Sequence, residues 1–148
     1  MRGSALRLVL VFSAACGALL APGAFAAEDT TPPRTKLTYP VSQDFVTSRE
    51  VVVYIRCNED ATAEAGGQLE IGEGRNTGRL ILGLTFASRH VERREKVKLR
   101  LLVPRATREA AERAIAHGRQ VLVKVTVAAT DTSGNESGET IAVIRPKP

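Results

Sequence analysis

Apolar and polar residues alternate with period two along most of this chain, which is the mark of half-buried β-strands. In 51–57 the residues Val51, Val53, Ile55 and Cys57 share one face. Further on, Val97, Leu99, Leu101 and Val103 point one way while Lys96, Lys98 and Arg100 point the other. Val121, Val123, Val125 and Val127 repeat the pattern in 120–130. A short first strand, Lys36 to Tyr39, is stopped by Pro40, and a last one spans about 139–145 with Ile141 and Val143 expected inward. Leu80, Leu82, Leu84 and Phe86 are expected to share an inward face. Residues 61–65 and 68–71 read as two weaker strands split by the turn signal Gly66-Gly67. The segments Gly72–Gly78 and Ser88–Glu95 read as a turn and a charged connection. β-branched residues dominate the strands, as a pleated, half-buried surface favours.

One segment breaks the period. Thr107 to Ala116 is rich in Ala, Glu and Arg, good helix formers, with Ala110, Ala111, Ala114 and Ile115 on one narrow face. Thr107 is the expected N-cap and Gly118 the stop, which places a short helix at about 107–117, connecting strands of opposite sheets. Seven or eight short strands with a single helix predict an all-β fold, a two-sheet antiparallel sandwich. A parallel sheet would need strands and helices in alternation.

The first residues belong outside that pattern. Arg2 and Arg7 precede an apolar run from Leu8 to Leu20; Pro22 and Gly23 follow, then Ala24-Phe25-Ala26. This is the layout of a secretory signal peptide, cut after residue 26, with a retained anchor as the competing reading. The expected organisation is a leader at 1–26, an extended lead-in at 27–34 and one β domain at 35–148. No later apolar run reaches membrane length, so no transmembrane span is expected after cleavage. The location implied is secreted or at the cell surface. Removing 26 of the 148 residues leaves 122 and takes away two arginines and no acid, so the formal charge falls from +5 to +3. That value does not demand a polyanionic partner. Of two cysteines, Cys16 leaves with the leader and Cys57 stands alone, so no internal disulfide is expected.

Three landmarks carry a resemblance. They are the lead-in Asp29-Thr30-Thr31-Pro32-Pro33, the strand end Arg56-Cys57-Asn58-Glu59, and the run from Val127 to Asn135 with its A-x-D-x-x-G-N turn. In order and separation they resemble bacterial immunoglobulin-like and fibronectin-III-like modules. The resemblance implies an Ig-like fold and a role as spacer, adhesion unit or binding unit rather than as an enzyme. Relatives often carry a second cysteine close after the first; the fourth position on is here Ala61, so that local bridge is missing.

The candidate sites have a plain and a sharper reading. The run Asp131-Thr132-Ser133-Gly134-Asn135 reads first as a turn built from Asx side chains and a left-handed Gly. The sharper reading is Ca²⁺, with Asp131, Asn135 and Asp29 or Glu136 as hard oxygen ligands. No other cofactor is expected. Cys57 reads as a small buried hydrophobe. A small secreted enzyme or redox protein using Cys57 would need a basic partner, and His90 and His117 both lie in charged, exposed-looking segments. Glu59-Asp60 is an adjacent acidic pair whose side chains face opposite ways. Arg89, Arg93, Arg94, Lys96, Lys98 and Arg100 form a basic stretch, read first as edge-strand protection. Nucleic acid is not the expected partner, since the stretch lacks aromatic stacking surfaces. An unidentified protein or an envelope glycan is. The leading expectation is thus a non-catalytic exported module whose recognition edges are Gly72–Gly78, Ser88–Glu95 and Asp131–Gly138. A calcium-stiffened adhesion unit is the alternative.

Overall fold

A computed structural model describes residues 29–72 and 79–147. The expected leader, the first two residues of the expected lead-in and the 73–78 part of the Gly72–Gly78 segment lie outside the described residues. Among the described residues the fold is mostly β, with two short helices. Thr35–Thr38 (β1), Glu50–Cys57 (β3) and Lys96–Leu102 (β7) form a three-stranded antiparallel sheet in the order β1-β3-β7. The second sheet is mixed. It runs Ser42–Gln43 (β2), Thr140–Pro146 (β9), Val121–Asp131 (β8), Ala61–Gly72 (β4), with Arg79–Gly83 (β5) and Ala87–Val91 (β6) along the far edge of β4. Only the β2–β9 pair is parallel. Odd-numbered residues of β3, β7 and β8, and of β4 apart from the half-buried Gly67, are buried, and both sheets feed one apolar core.

Four expectations about strands are corrected. Gly66-Gly67 does not turn the chain: β4 is continuous, and Gly67 is packed so tightly that an added Cβ would lie 3.0 Å from Leu101 Cδ2. The glycines mark close approach inside a strand. Second, Ile141 and Val143 face out, 55% and 38% exposed, while Ala142 and Ile144 are buried. Residues 141–144 are apolar throughout, so period gave no face. Register decides it, because Ala142 lies opposite Val125 and Ile144 opposite Val123. Third, the Ser88–Glu95 connection contains most of β6, whose Val91 is fully buried.

The fourth concerns Phe86, which is 64% exposed rather than inward. Gln68 pairs with Gly83 but Ala65 with Ala87, so β5–β6 carries one more residue than β4 between those pairs. The extra residue is a β-bulge. It lets Thr85 turn to the other sheet, where Thr85 N donates to Leu102 O (3.1 Å) and Leu102 N to Thr85 Oγ1 (2.7 Å). Phe86 is thereby thrown out of the inward set, and Leu80, also expected inward, is 41% exposed.

Phe45–Ser48 (α1) is too short to have a readable period. Asp44 caps it by accepting from Thr47 N (3.0 Å), and Arg49, at φ 63, ends it. The helix plugs the core with Phe45, fully buried; truncation to Ala would cost about 3–5 kcal/mol. Just before it, Gln43 bridges the sheets. Its backbone pairs with β9, and its amide takes the place of a strand beside Val52, accepting from Val52 N (2.9 Å) and donating to Val52 O (2.7 Å).

Arg105–Ala116 (α2) connects β7 to β8, strands of opposite sheets, as expected. It starts earlier than Thr107. Pro104 is the N-cap residue, and Thr107 is buried inside the first turns with its hydroxyl 3.4 Å from Gly83 O. Ala111 and Ala114 are covered, whereas Ile115 is 42% exposed. Gly118, at φ 66, supplies the left-handed stop.

Candidate functional site

The three sequence landmarks meet at one end of the domain. Asp131 closes β8, and its Oδ1 accepts from Ser133 N (2.8 Å) and Asn135 N (2.8 Å) while Oδ2 accepts from Asn135 Nδ2 (2.9 Å). Gly134, at φ 88, takes the left-handed position of the turn. Burial raises the Asp131 carboxyl's affinity for a proton, but the bonds from Asn135, Ser133 and Gly134 outweigh it and hold the group below its ordinary range.

The same Asn135 amide donates to Asp29 O (2.8 Å), and Asp29 Oδ1 accepts from Thr31 N (2.9 Å). The lead-in is fastened a second time by Arg34 and Asn58: Arg34 N donates to Asn58 Oδ1 (2.6 Å) and Asn58 N to Arg34 O (3.1 Å). As a result one carboxylate oxygen from each of Asp29, Glu59 and Asp131 lies within 4.8 Å of the others. Among the described residues no ion pair neutralises any of the three.

Of the residues named from sequence, Asp29 and Asp131 are brought together. Asn135 is adjacent but turns its NH₂ toward both, so it contributes donors, not a ligand oxygen. Glu136 is exposed and takes part only in a backbone bridge to Thr130. Glu59 is the residue that sequence reasoning missed. Its adjacency to Asp60 hid it; Asp60 turns away and accepts from Arg93 N (2.7 Å). What brings Glu59 here is the pairing of Ala61 with Asp131, a register with no short-range sequence signal.

Cys57 is 1% exposed, on the β3 face shared with Val51, Val53 and Ile55. Burial first, and then the charge of Glu59, push its thiol up, which suppresses the thiolate. His90 and His117 are exposed, and His117 Nδ1 lies 2.6 Å from Arg113 O at the end of α2. The basic stretch divides among β6, the following turn and β7, where Glu50 pairs with Arg100 (3.5 Å) and Lys98 (4.0 Å).

No protein-family model and no curated protein matches this chain. Among the described residues no helix is long and apolar enough to cross a membrane.

Proposed function

We propose that the chain is an exported, non-catalytic immunoglobulin-like module, a two-sheet sandwich that binds a protein or glycan of the cell envelope. One observation carries this reading. The lead-in, the Cys57–Glu59 strand end and the Asp131–Asn135 turn, the three places where the sequence resembles such modules, are hydrogen-bonded or clustered at the same end. Landmarks far apart in sequence that converge in space support a shared architecture better than each does alone. The covered Cys57, with its raised thiol, speaks against the redox alternative. The test is recovery of an envelope component on the immobilised mature domain, with its identity established. Turnover of any substrate by the pure domain refutes the reading.

A second reading, calcium stiffening of this end, is favoured by the approach of Asp29, Glu59 and Asp131, to which no cationic side chain among the described residues is paired. Carboxylate oxygens are the ligands Ca²⁺ takes, and it prefers six to eight oxygens, so backbone carbonyls and water would complete the set. A melting temperature that rises in millimolar Ca²⁺ and falls back with chelator supports it. A midpoint indifferent to both removes it.

A further inference from the structure

The modest net charge conceals a strongly basic face. Register sets Lys36, Arg56 and Lys96 directly side by side across β1, β3 and β7. Strands lie about 4.8 Å apart, so three cations fall within roughly 10 Å. All three are exposed. Two residues along, on the same face, Lys98 stands beside Tyr54, and Arg100 follows beside Val52. Glu50 is the one acidic residue of these three strands, and Lys98 and Arg100 share it. Among the described residues no carboxylate pairs with Lys36, Arg56 or Lys96.

Like charges directly opposite one another destabilise a sheet. Edge protection accounts for Lys36 and Lys96, which lie on edge strands. It does not account for Arg56, in the middle of the central strand's row. Folding alone therefore gives no reason for the row. Lys36, Thr38, Tyr54, Arg56 and Lys96 line a shallow depression of about 200 Å³, where hydroxyl-bearing side chains stand among the cations.

We infer that this face binds a linear anionic polysaccharide, its carboxylates or sulfates meeting the Lys36–Arg56–Lys96 row and its hydroxyls meeting Thr38 and Tyr54. The inference rests on the binding-module reading and names its partner class. A guanidinium holds an oxyanion with two parallel bonds, which suits Arg56 to the centre of the row. Single-stranded nucleic acid fits less well, because Lys96 Nζ sits 4.5 Å from the centroid of the Tyr54 ring and covers the aromatic surface beside the row. The exposed Phe86, against the expectation that no stacking surface accompanies the basic stretch, stands farther along beside Lys98 and Arg100. A membrane fits less well, because the exposed apolar side chains on this side, Phe86 beside Lys98 and Arg100 and Leu102 at the opposite end of β7 from Lys96, stand outside the Lys36–Arg56–Lys96 row.

The experiment titrates the mature chain with polygalacturonate, neutral dextran, a single-stranded oligonucleotide and vesicles containing anionic phospholipid, followed by calorimetry and by amide chemical shifts. The expected result is salt-sensitive binding of polygalacturonate and not of dextran, with shifts centred on β1, β3 and β7. Arg56→Thr is expected to weaken that binding about tenfold or more, since charged hydrogen bonds are lost, while its melting temperature stays level or rises as repulsion is relieved. Lys36→Gln/Lys96→Gln, which leaves the central strand intact, is expected to do the same. Unchanged binding in both variants, shifts confined to the loops, or tighter binding of oligonucleotide or vesicles overturns the inference. If polygalacturonate fails while another envelope component is retained, the polysaccharide assignment falls and the binding module stands. Substrate turnover would instead sink the module reading itself.

Discussion

The side-chain amide of Asn135 donates to the backbone carbonyl of Asp29, 106 residues earlier in the chain, and at the same time to the carboxylate of Asp131. One short side chain thus fastens the lead-in to the turn before the last strand. Asn135→Ala removes both bonds. The expected loss is about 1–2 kcal/mol in urea unfolding, in the range of hydrogen bonds to charged groups. Amide exchange at Thr31 and Arg34 should quicken as well. Asn135→Asp should be worse than Ala at neutral pH, because it sets a further carboxylate against Asp131. Its deficit should shrink as acid protonates the pair, since a carboxyl raised by a like charge recovers stability as pH falls.

The adjacent glycines of β4 should respond to the same substitution with opposite sign. At Gly67 a new Cβ would meet Leu101 Cδ2 at 3.0 Å and Leu84 Cδ2 at 3.3 Å, and overpacking of this kind costs about 1–3 kcal/mol. At Gly66 a Cβ meets nothing within 4 Å and the backbone φ is not left-handed. Gly66→Ala is expected to stabilise by about 0.4–1 kcal/mol through the unfolded chain. Denaturant midpoints of the two single variants check this directly. A Leu84→Ala background should reduce the Gly67→Ala penalty.

This pair also marks how far the sequence could be read. Alternation in β3, β7 and β8 was legible because each strand has one buried face, and the odd-numbered residues from Val51 to Cys57, Val97 to Val103 and Val121 to Val127 are all buried. It failed where both parities are apolar, as at Ile141 to Ile144, and where a bulge shifts the parity, as at Phe86. Gly66-Gly67 was misread because a glycine pair signals a turn and a close approach equally well. α1 was beyond periodicity, and its signal was the Asp44 cap alone. At the acidic end, Asp29 and Asp131 could be picked out as hard ligands. Glu59 could not, because it arrives through the cross-strand register of β4 and β8.

Cys57 should behave as a core residue. With its thiol covered and raised, labelling by a thiol reagent in native buffer should proceed only as fast as the domain opens, and denaturant should release it at once. Rapid native labelling would show an open thiol and revive redox chemistry. Cys57→Ser puts an unpaired hydroxyl among Val51, Val53 and Ile55, and is expected to cost about 1–3 kcal/mol. Cys57→Ala should be milder, since it removes one atom and buries no polar group.

Glu70 tests the electrostatics of the larger sheet. It is 3% exposed on β4, with Arg79 Nη1 at 2.8 Å and Lys124 Nζ at 3.1 Å, and Gln68 donates to it as well (3.1 Å). Burial pushes its carboxyl up, yet the Lys124 hydrogen bond, the two cations and Gln68 together bring it below the ordinary value. A carboxyl lowered by folding contributes stability that is complete above its unfolded value, near 4.3, and is lost as pH falls through the folded one. Glu70→Gln should therefore be less stable than the parent at neutral pH. About 1–2 kcal/mol is the expected size, toward the low end for charged hydrogen bonds because Arg79 is half exposed and water screens it. The two urea midpoints should converge on acidification, as pH falls through the folded value, which lies below the usual carboxylate range. Lys124→Met removes the cation and its hydrogen bond together, so it should raise the Glu70 carboxyl and move the acid limb of the stability curve to higher pH. Parallel acid limbs in all three proteins would mean that Glu70 is held by packing rather than by charge.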